Sequence, residues 1–113
     1  MGGFVFHFLG RIYADFQGFK NMIDKVCIFT DYLKYRAELR GFDLAKIEHI
    51  LRYSQERYVD SDSYRFVIIG DHNQKLVMIP YEENDTTITP ITIHATTRQQ
   101  IKFRLTTGRL THE

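Results

Sequence analysis

The chain has no tryptophan, one cysteine, two prolines and little net charge. Cys27 is the only cysteine, so no disulfide can form within the chain, which fits a reducing compartment. A formal net charge of +1 at pH 7 across 113 residues does not by itself indicate an anionic or a cationic partner. The first nine residues are apolar, but this run is too short to span a bilayer and lacks the basic start of a secretion signal. These absences predict a cytoplasmic protein that does not associate with a membrane.

Several motifs that carry chemistry are also missing. Five scattered histidines and one cysteine give no metal-ligand spacing. The chain has neither a glycine-rich phosphate loop nor a nucleophile elbow, so we expect no metal and no cofactor. Cys27 lies in the apolar run 26–29, which predicts buried packing and not a reactive thiol.

A chain of 113 residues has the length of a single domain. We expect residues 1–21 to be a loosely attached extension, or an artefact of the gene start with Met22 as an alternative start, and residues 22–113 to form a single domain. The part from 58 to 87 is acidic, whereas the part from 98 to 113 is basic. A basic tail helix of this kind either meets an anionic partner or is a solvated helix face.

Hydrophobic periodicity predicts an α+β fold with the order β-α-α-β-β-β-α. We expect a small antiparallel sheet, two helices packed on one of its faces, and a C-terminal helix. Capping residues and glycines mark the helix ends, and short polar turns separate the last three strands. The expected elements are a strand at 25–29, helices at 31–40 and 43–54, a loop at 55–63, strands at 64–70, 75–82 and 86–95, and a helix at 97–107.

Three finer expectations follow from the same patterns. Tyr32, Tyr35 and Leu39 share one face of the first helix, which predicts that this face packs inward. The strand at 64–70 is apolar on both faces, which predicts a central position in the sheet. Pro80 removes a ladder donor, which predicts an edge, a bulge or a strand end at that position.

Three segments resemble one protein family. Asp31-x-x-Lys34 followed by Leu39-Arg40-Gly41 resembles a first-helix pattern, Tyr64 to Gly70 a first meander strand, and Ile91 to Arg98 a last strand running into a basic helix. Over roughly residues 27–110 the chain resembles small toxins of the BrnT type within the RelE-like ribonuclease group. It is also similar to a related family of small uncharacterised domains with the same layout.

The resemblance implies a RelE-like toxin of a toxin-antitoxin pair. Such a protein cleaves RNA without a metal and is neutralised by a small antitoxin. The chain departs from the family pattern at His94, where an arginine is expected, and in the glutamines after Arg98.

The candidate catalytic residues are His94, Arg98 and Arg65. A histidine suits proton transfer because its unperturbed pKa is about 6.5, and an arginine suits phosphate because its planar fork matches two oxygens. His94 and Arg98 lie four residues apart at the corner between the last strand and the last helix. The alternatives are a histidine bonded to backbone, a surface arginine, and for Arg65 an ion pair with Asp60 or Asp62.

Further residues are candidates for binding RNA. Lys102 and Arg104 would attract the phosphate backbone, and Lys34 and Arg40 would form the opposite wall of a cleft. Tyr81 would either stack on an unpaired base or belong to the core. Two functions stay open: a metal-independent endoribonuclease toxin, and a non-catalytic interaction domain of the same fold. A homodimer is a candidate assembly for either function.

Overall fold

A computed structural model describes residues 24–113, which form three helices and a seven-stranded, mostly antiparallel sheet. The helices are α1 Asp31–Arg40, α2 Leu44–Tyr53 and α3 Arg98–Thr106. The strands are β1 Val26–Cys27, β2 Glu56–Asp60, β3 Phe66–His72, β4 Lys75–Glu83, β5 Thr87–Pro90, β6 His94–Ala95 and β7 Leu110–His112. The predicted α+β class is confirmed. The expected extension 1–21 lies outside the described residues.

The sheet separates two layers of helix. Its strand order is β1-β5-β4-β3-β2-β7, and β6 also pairs with β4. Only β1 and β5 run parallel among the described pairs. One buried cluster joins the sheet to α1 and α2, and a second joins its other face to α3. The protein is therefore layered helix, sheet, helix over residues 24–113.

Strand β3 lies in the middle of this sheet, between β4 and β2. Ile68 packs into the cluster under α1 and α2, whereas Val67 and Ile69 pack into the cluster under α3. Alternate side chains of a strand point to opposite faces, so a strand covered on both sides must be apolar throughout. The predicted central position of this strand is confirmed.

The helix ends follow their capping residues. The Thr30 hydroxyl accepts from the Leu33 amide at the start of α1, and the Asp43 carboxylate accepts from two amides of α2. Thr97 caps α3 by accepting from the Gln100 amide at 3.1 Å. Gly41, with φ 77°, ends α1 in the left-handed conformation that a glycine adopts without strain. The predicted helix boundaries are confirmed to within about one residue.

The strand predictions were incomplete. The segment expected to be a loop at 55–63 contains β2, and β7 follows α3 where no strand was expected. The segment expected as one strand at 86–95 is divided into β5 and β6. Polar side chains of β2 find partners that are distant in the sequence: Nη1 of Arg57, for example, donates to the Tyr81 hydroxyl at 2.8 Å. A local hydrophobic pattern does not report such partners.

Helix α1 is rotated relative to the prediction. Leu33 and Ala37 are its buried residues. Tyr32, Tyr35 and Leu39, which were expected to face inward, are 55%, 61% and 63% exposed. The expected inward face was therefore wrong, because the sheet offers its apolar surface to the smaller pair Leu33 and Ala37.

Pro80 explains the divided strand. It lies inside β4, and its carbonyl accepts from the Ile91 amide at 2.8 Å. At the hydrogen-bonded positions of an antiparallel pair the facing residues exchange two such bonds, but a proline has no N–H to return the second. The ladder stops there, and pairing with β4 resumes only at His94 opposite Met78. The proline thus produces an interruption in the neighbouring strand.

We predict that Gly70→Ala destabilises the protein by about 1–3 kcal/mol through overpacking. A Cβ at position 70 would lie 2.6 Å from Cγ2 and 2.9 Å from Cγ1 of Ile50 in α2, so the Ile50 side chain or the helix that carries it would have to shift. Urea denaturation of wild type, Gly70→Ala, Ile50→Ala and the double variant measures this. The double variant should be less destabilised than the two single variants added together. Simple additivity would contradict the contact.

Candidate functional site

His94 lies at the interruption beside β4. It pairs with Met78, whose side chain belongs to the cluster packed against α3. Residues directly opposite each other in a sheet share a face, so the imidazole lies on the α3 side and is half-buried. The interruption therefore leaves a titratable side chain at the margin between the sheet and α3.

The charges of three arginines act on this position. Nη1 of Arg40 donates to the carbonyl oxygen of Ile93 at 2.8 Å, which joins α1 to the residue before His94. Arg36 lies one helical turn before Arg40 and so on the same side of α1. Arg104 approaches from α3, and its charge acts on the imidazole together with those of Arg40 and Arg36. We call His94, Arg36, Arg40 and Arg104 the His94 cluster.

The environment favours a neutral imidazole. Burial lowers the pKa of His94 below its ordinary value, and the positive charges of Arg104, Arg40 and Arg36 lower it further. Both causes disfavour the imidazolium ion. A neutral imidazole can accept a proton, and guanidinium groups bind phosphate oxygens through paired hydrogen bonds. The His94 cluster therefore combines an imidazole whose neutral form is favoured with neighbouring positive charges.

Arg104 also borders a groove along α3 with a volume of about 740 Å³. Phe103 and Arg109 line the same groove among the described residues, and Phe103 is exposed. Of the His94 cluster, Arg104 is the member that lines this groove along α3.

The Arg98 side chain is engaged by a carboxylate. Its Nη1 lies 2.6 Å from Oε2 of Glu56 on β2, and the Tyr58 hydroxyl donates to the same oxygen at 2.8 Å. The hydrogen bond from Arg98 holds the pKa of the Glu56 carboxyl below its ordinary value. The charges that act on His94 are those of Arg104, Arg40 and Arg36. The expected partnership of His94 with Arg98 is therefore replaced by the His94 cluster.

Arg65 is also held by a carboxylate. Its Nε lies 3.0 Å from Oε2 of Glu82, which stands across from it on β4. The predicted alternative was an ion pair with Asp60 or Asp62, but both of these pair with Arg109, at 3.0 and 3.6 Å. The expected ion pair is therefore present, but the predicted partner was wrong. The partner depends on the β3–β4 register, which brings Glu82 to Arg65.

Tyr81 cannot stack on a base. It is 0% exposed, its ring stacks on Phe66, and its hydroxyl accepts from Nη1 of Arg57 at 2.8 Å. Its RNA-binding assignment is wrong and its alternative core role is confirmed. Cys27 is half-buried against the core, and burial raises the pKa of its thiol to about 11, as expected for a packing residue.

The remaining candidates lie on helix surfaces. Lys34 is exposed on α1, and Lys102 is exposed on α3. Arg40 and Arg104, predicted as opposite walls of a cleft, are brought together with His94. Arg36 was not predicted, although its spacing of four residues from Arg40 on one helix was a usable signal.

No family model, curated protein or solved structure gives a match to this chain. Within residues 24–113, no group of three or more histidine, cysteine, aspartate or glutamate side chains is placed to hold a metal ion. None of the helices in this part of the chain has the length and apolar character needed to cross a bilayer.

We predict that Arg104→Gln or Arg40→Gln raises the pKa of His94 toward its ordinary value. Each change removes a positive charge that disfavours the imidazolium ion. Because the wild-type pKa is lower in the folded than in the unfolded state, the folded protein binds fewer protons, and stability should fall as the pH drops below about 6.5.

NMR titration of the imidazole measures this pKa in the variants. Lys102→Gln, also on α3 but not among the residues whose charges lower the pKa of His94, is the matched control and should leave that pKa unchanged. An unchanged pKa in both arginine variants would contradict the cluster.

Proposed function

We propose that this chain is a metal-independent RNA endonuclease whose catalytic centre is the His94 cluster. The observation that carries the proposal is the convergence of Arg40, Arg104 and His94 from three different elements at one margin of the sheet. Such a convergence of positive charge beside a titratable group costs stability unless an anion compensates it. A phosphate group of RNA is an anion of suitable charge and geometry.

The proposed reaction is attack of a ribose 2′-oxygen on the adjacent phosphorus. Neutral His94 takes the 2′-OH proton, and the arginines bind the charge that develops on the non-bridging oxygens. The P–O5′ bond breaks, and the 5′-oxygen receives a proton from the imidazolium ion formed or from water. The products are a 2′,3′-cyclic phosphate and a 5′-hydroxyl.

The biological setting is proposed by resemblance. The likeness to BrnT-type and RelE-like toxins supports a cytoplasmic toxin that a small antitoxin protein neutralises. An adjacent reading frame for a small basic DNA-binding protein would support this setting. Growth arrest on expression of the wild type, and none with His94→Ala, would support it independently.

A second candidate is a non-catalytic interaction domain of the same fold. It is favoured by Arg98 and Arg65, which occupy the positions expected for catalysis and are engaged by Glu56 and Glu82. In that case the His94 cluster would bind an anionic partner without cleaving it.

We predict that His94→Ala lowers RNA cleavage by roughly 10²- to 10⁴-fold, the contribution of a positioned proton-transfer group. The assay uses purified protein, end-labelled single-stranded RNA and a chelator. The controls are Lys75→Ala, an exposed lysine in the β3–β4 hairpin, and Arg98→Gln, which loses only the Glu56 ion pair. Both controls should cleave like the wild type.

Three outcomes would decide between the candidates. Cleavage by His94→Ala at the wild-type rate would refute the catalytic role. Tight RNA binding that depends on Arg40 and Arg104 without cleavage by the wild type would support the interaction domain. Blocking the 2′-hydroxyl at the cleaved position should abolish the reaction, and continued cleavage would refute the proposed chemistry.

A further inference from the structure

Helix α1 carries an aromatic face toward solvent. Tyr32 and Tyr35 are each more than half exposed, while the same helix buries Leu33 and Ala37. Large exposed aromatic rings on a structured helix often mark a contact surface. Within residues 24–113 no element covers these two rings.

The same helix supplies positive charge next to the rings. The guanidinium of Arg36 lies over the ring of Tyr32, with Cζ 5.7 Å from the ring centroid. Arg36 and Arg40 both belong to the His94 cluster. The aromatic face and the His94 cluster are therefore neighbouring surfaces that share a boundary along α1.

We propose that Tyr32 and Tyr35 form a base-stacking surface for single-stranded RNA whose phosphate lies in the His94 cluster. This inference rests on the proposed function and names the form of its substrate. Aromatic rings beside arginines bind single-stranded nucleic acid well, because the rings stack on unpaired bases while the guanidinium groups bind phosphates. A paired duplex would keep its bases away from the rings.

The charge pattern favours RNA over a second copy of this chain. A two-fold symmetric contact with its axis close to Arg36 would bring Arg36 near its own copy in the second chain. Like charges that meet in an interface oppose association. A polyanion with exposed aromatic bases complements both the arginines and the tyrosines.

The test measures binding of a labelled 2′-O-methyl oligoadenosine and of an abasic oligonucleotide of the same length by fluorescence anisotropy. The blocked 2′-position prevents cleavage, and the abasic strand keeps the phosphates but removes stacking. The variants are Tyr32→Ala, Tyr35→Ala and the corresponding changes to Phe. Tyr64→Ala is the matched control, because Tyr64 is 84% exposed but lies beside the acidic residues Asp60 and Asp62.

We expect each alanine variant to bind the base-bearing strand on the order of tenfold more weakly and the abasic strand as the wild type does. The Phe variants keep a stacking ring and should bind like the wild type, as should Tyr64→Ala. Unchanged binding by the alanine variants, or an equal loss for both strands, would overturn the proposal. A wild-type dimer that Tyr35→Ala dissociates would also overturn it, since the face would then belong to a second copy.

Failure of this inference is distinguishable from failure of the proposed function. If His94→Ala abolishes cleavage while the tyrosine variants bind both strands like the wild type, only the stacking surface is refuted. If the wild type never cleaves RNA but loses base-dependent binding on removal of the tyrosines, the stacking surface stands and the catalytic role is refuted.

Discussion

The missing N–H of Pro80 is the constraint on which the site depends. One ladder bond between β4 and its neighbour cannot form, so pairing stops at Pro90 and resumes at His94. The Ile93 carbonyl is bonded by the Arg40 side chain in this interval. A cation from another layer thus bonds a backbone carbonyl between the two paired segments, next to the first residue of β6. The local chemistry of one proline thus leads to a cationic surface beside His94.

The packing of two helical layers determines which charges meet there. Leu33 and Ala37 turn α1 so that its arginines lie at the margin of the sheet and its tyrosines face solvent. Ile101 packs α3 against the opposite face, which brings Arg104 to the same margin. Positive charge is thus concentrated around His94, while Arg65, Arg98 and Arg109 are engaged by carboxylates at other places.

Features determined by neighbouring residues could be predicted from the sequence. Thr30, Gly41 and Thr97 act within one helical turn, and the two apolar faces of β3 follow from its own residues. Features that depend on contacts between residues far apart in the sequence could not be predicted. β2 and β7 pair with each other through residues about fifty positions apart, and Arg98 finds Glu56 across 42 positions. His94, Arg40 and Arg104 were each candidates, but their convergence requires the break opposite Pro80, which periodicity does not reveal.

The most direct test of the account is NMR mapping of the backbone amides with a short single-stranded RNA blocked at its 2′-positions. The account predicts the largest chemical-shift changes in α1 from Tyr32 to Arg40, around Ile93 and His94, and near Arg104. Changes that saturate with RNA at these places would support one continuous binding surface. Changes centred instead on the acidic turn between β2 and β3, or no changes at RNA concentrations that saturate binding, would contradict it.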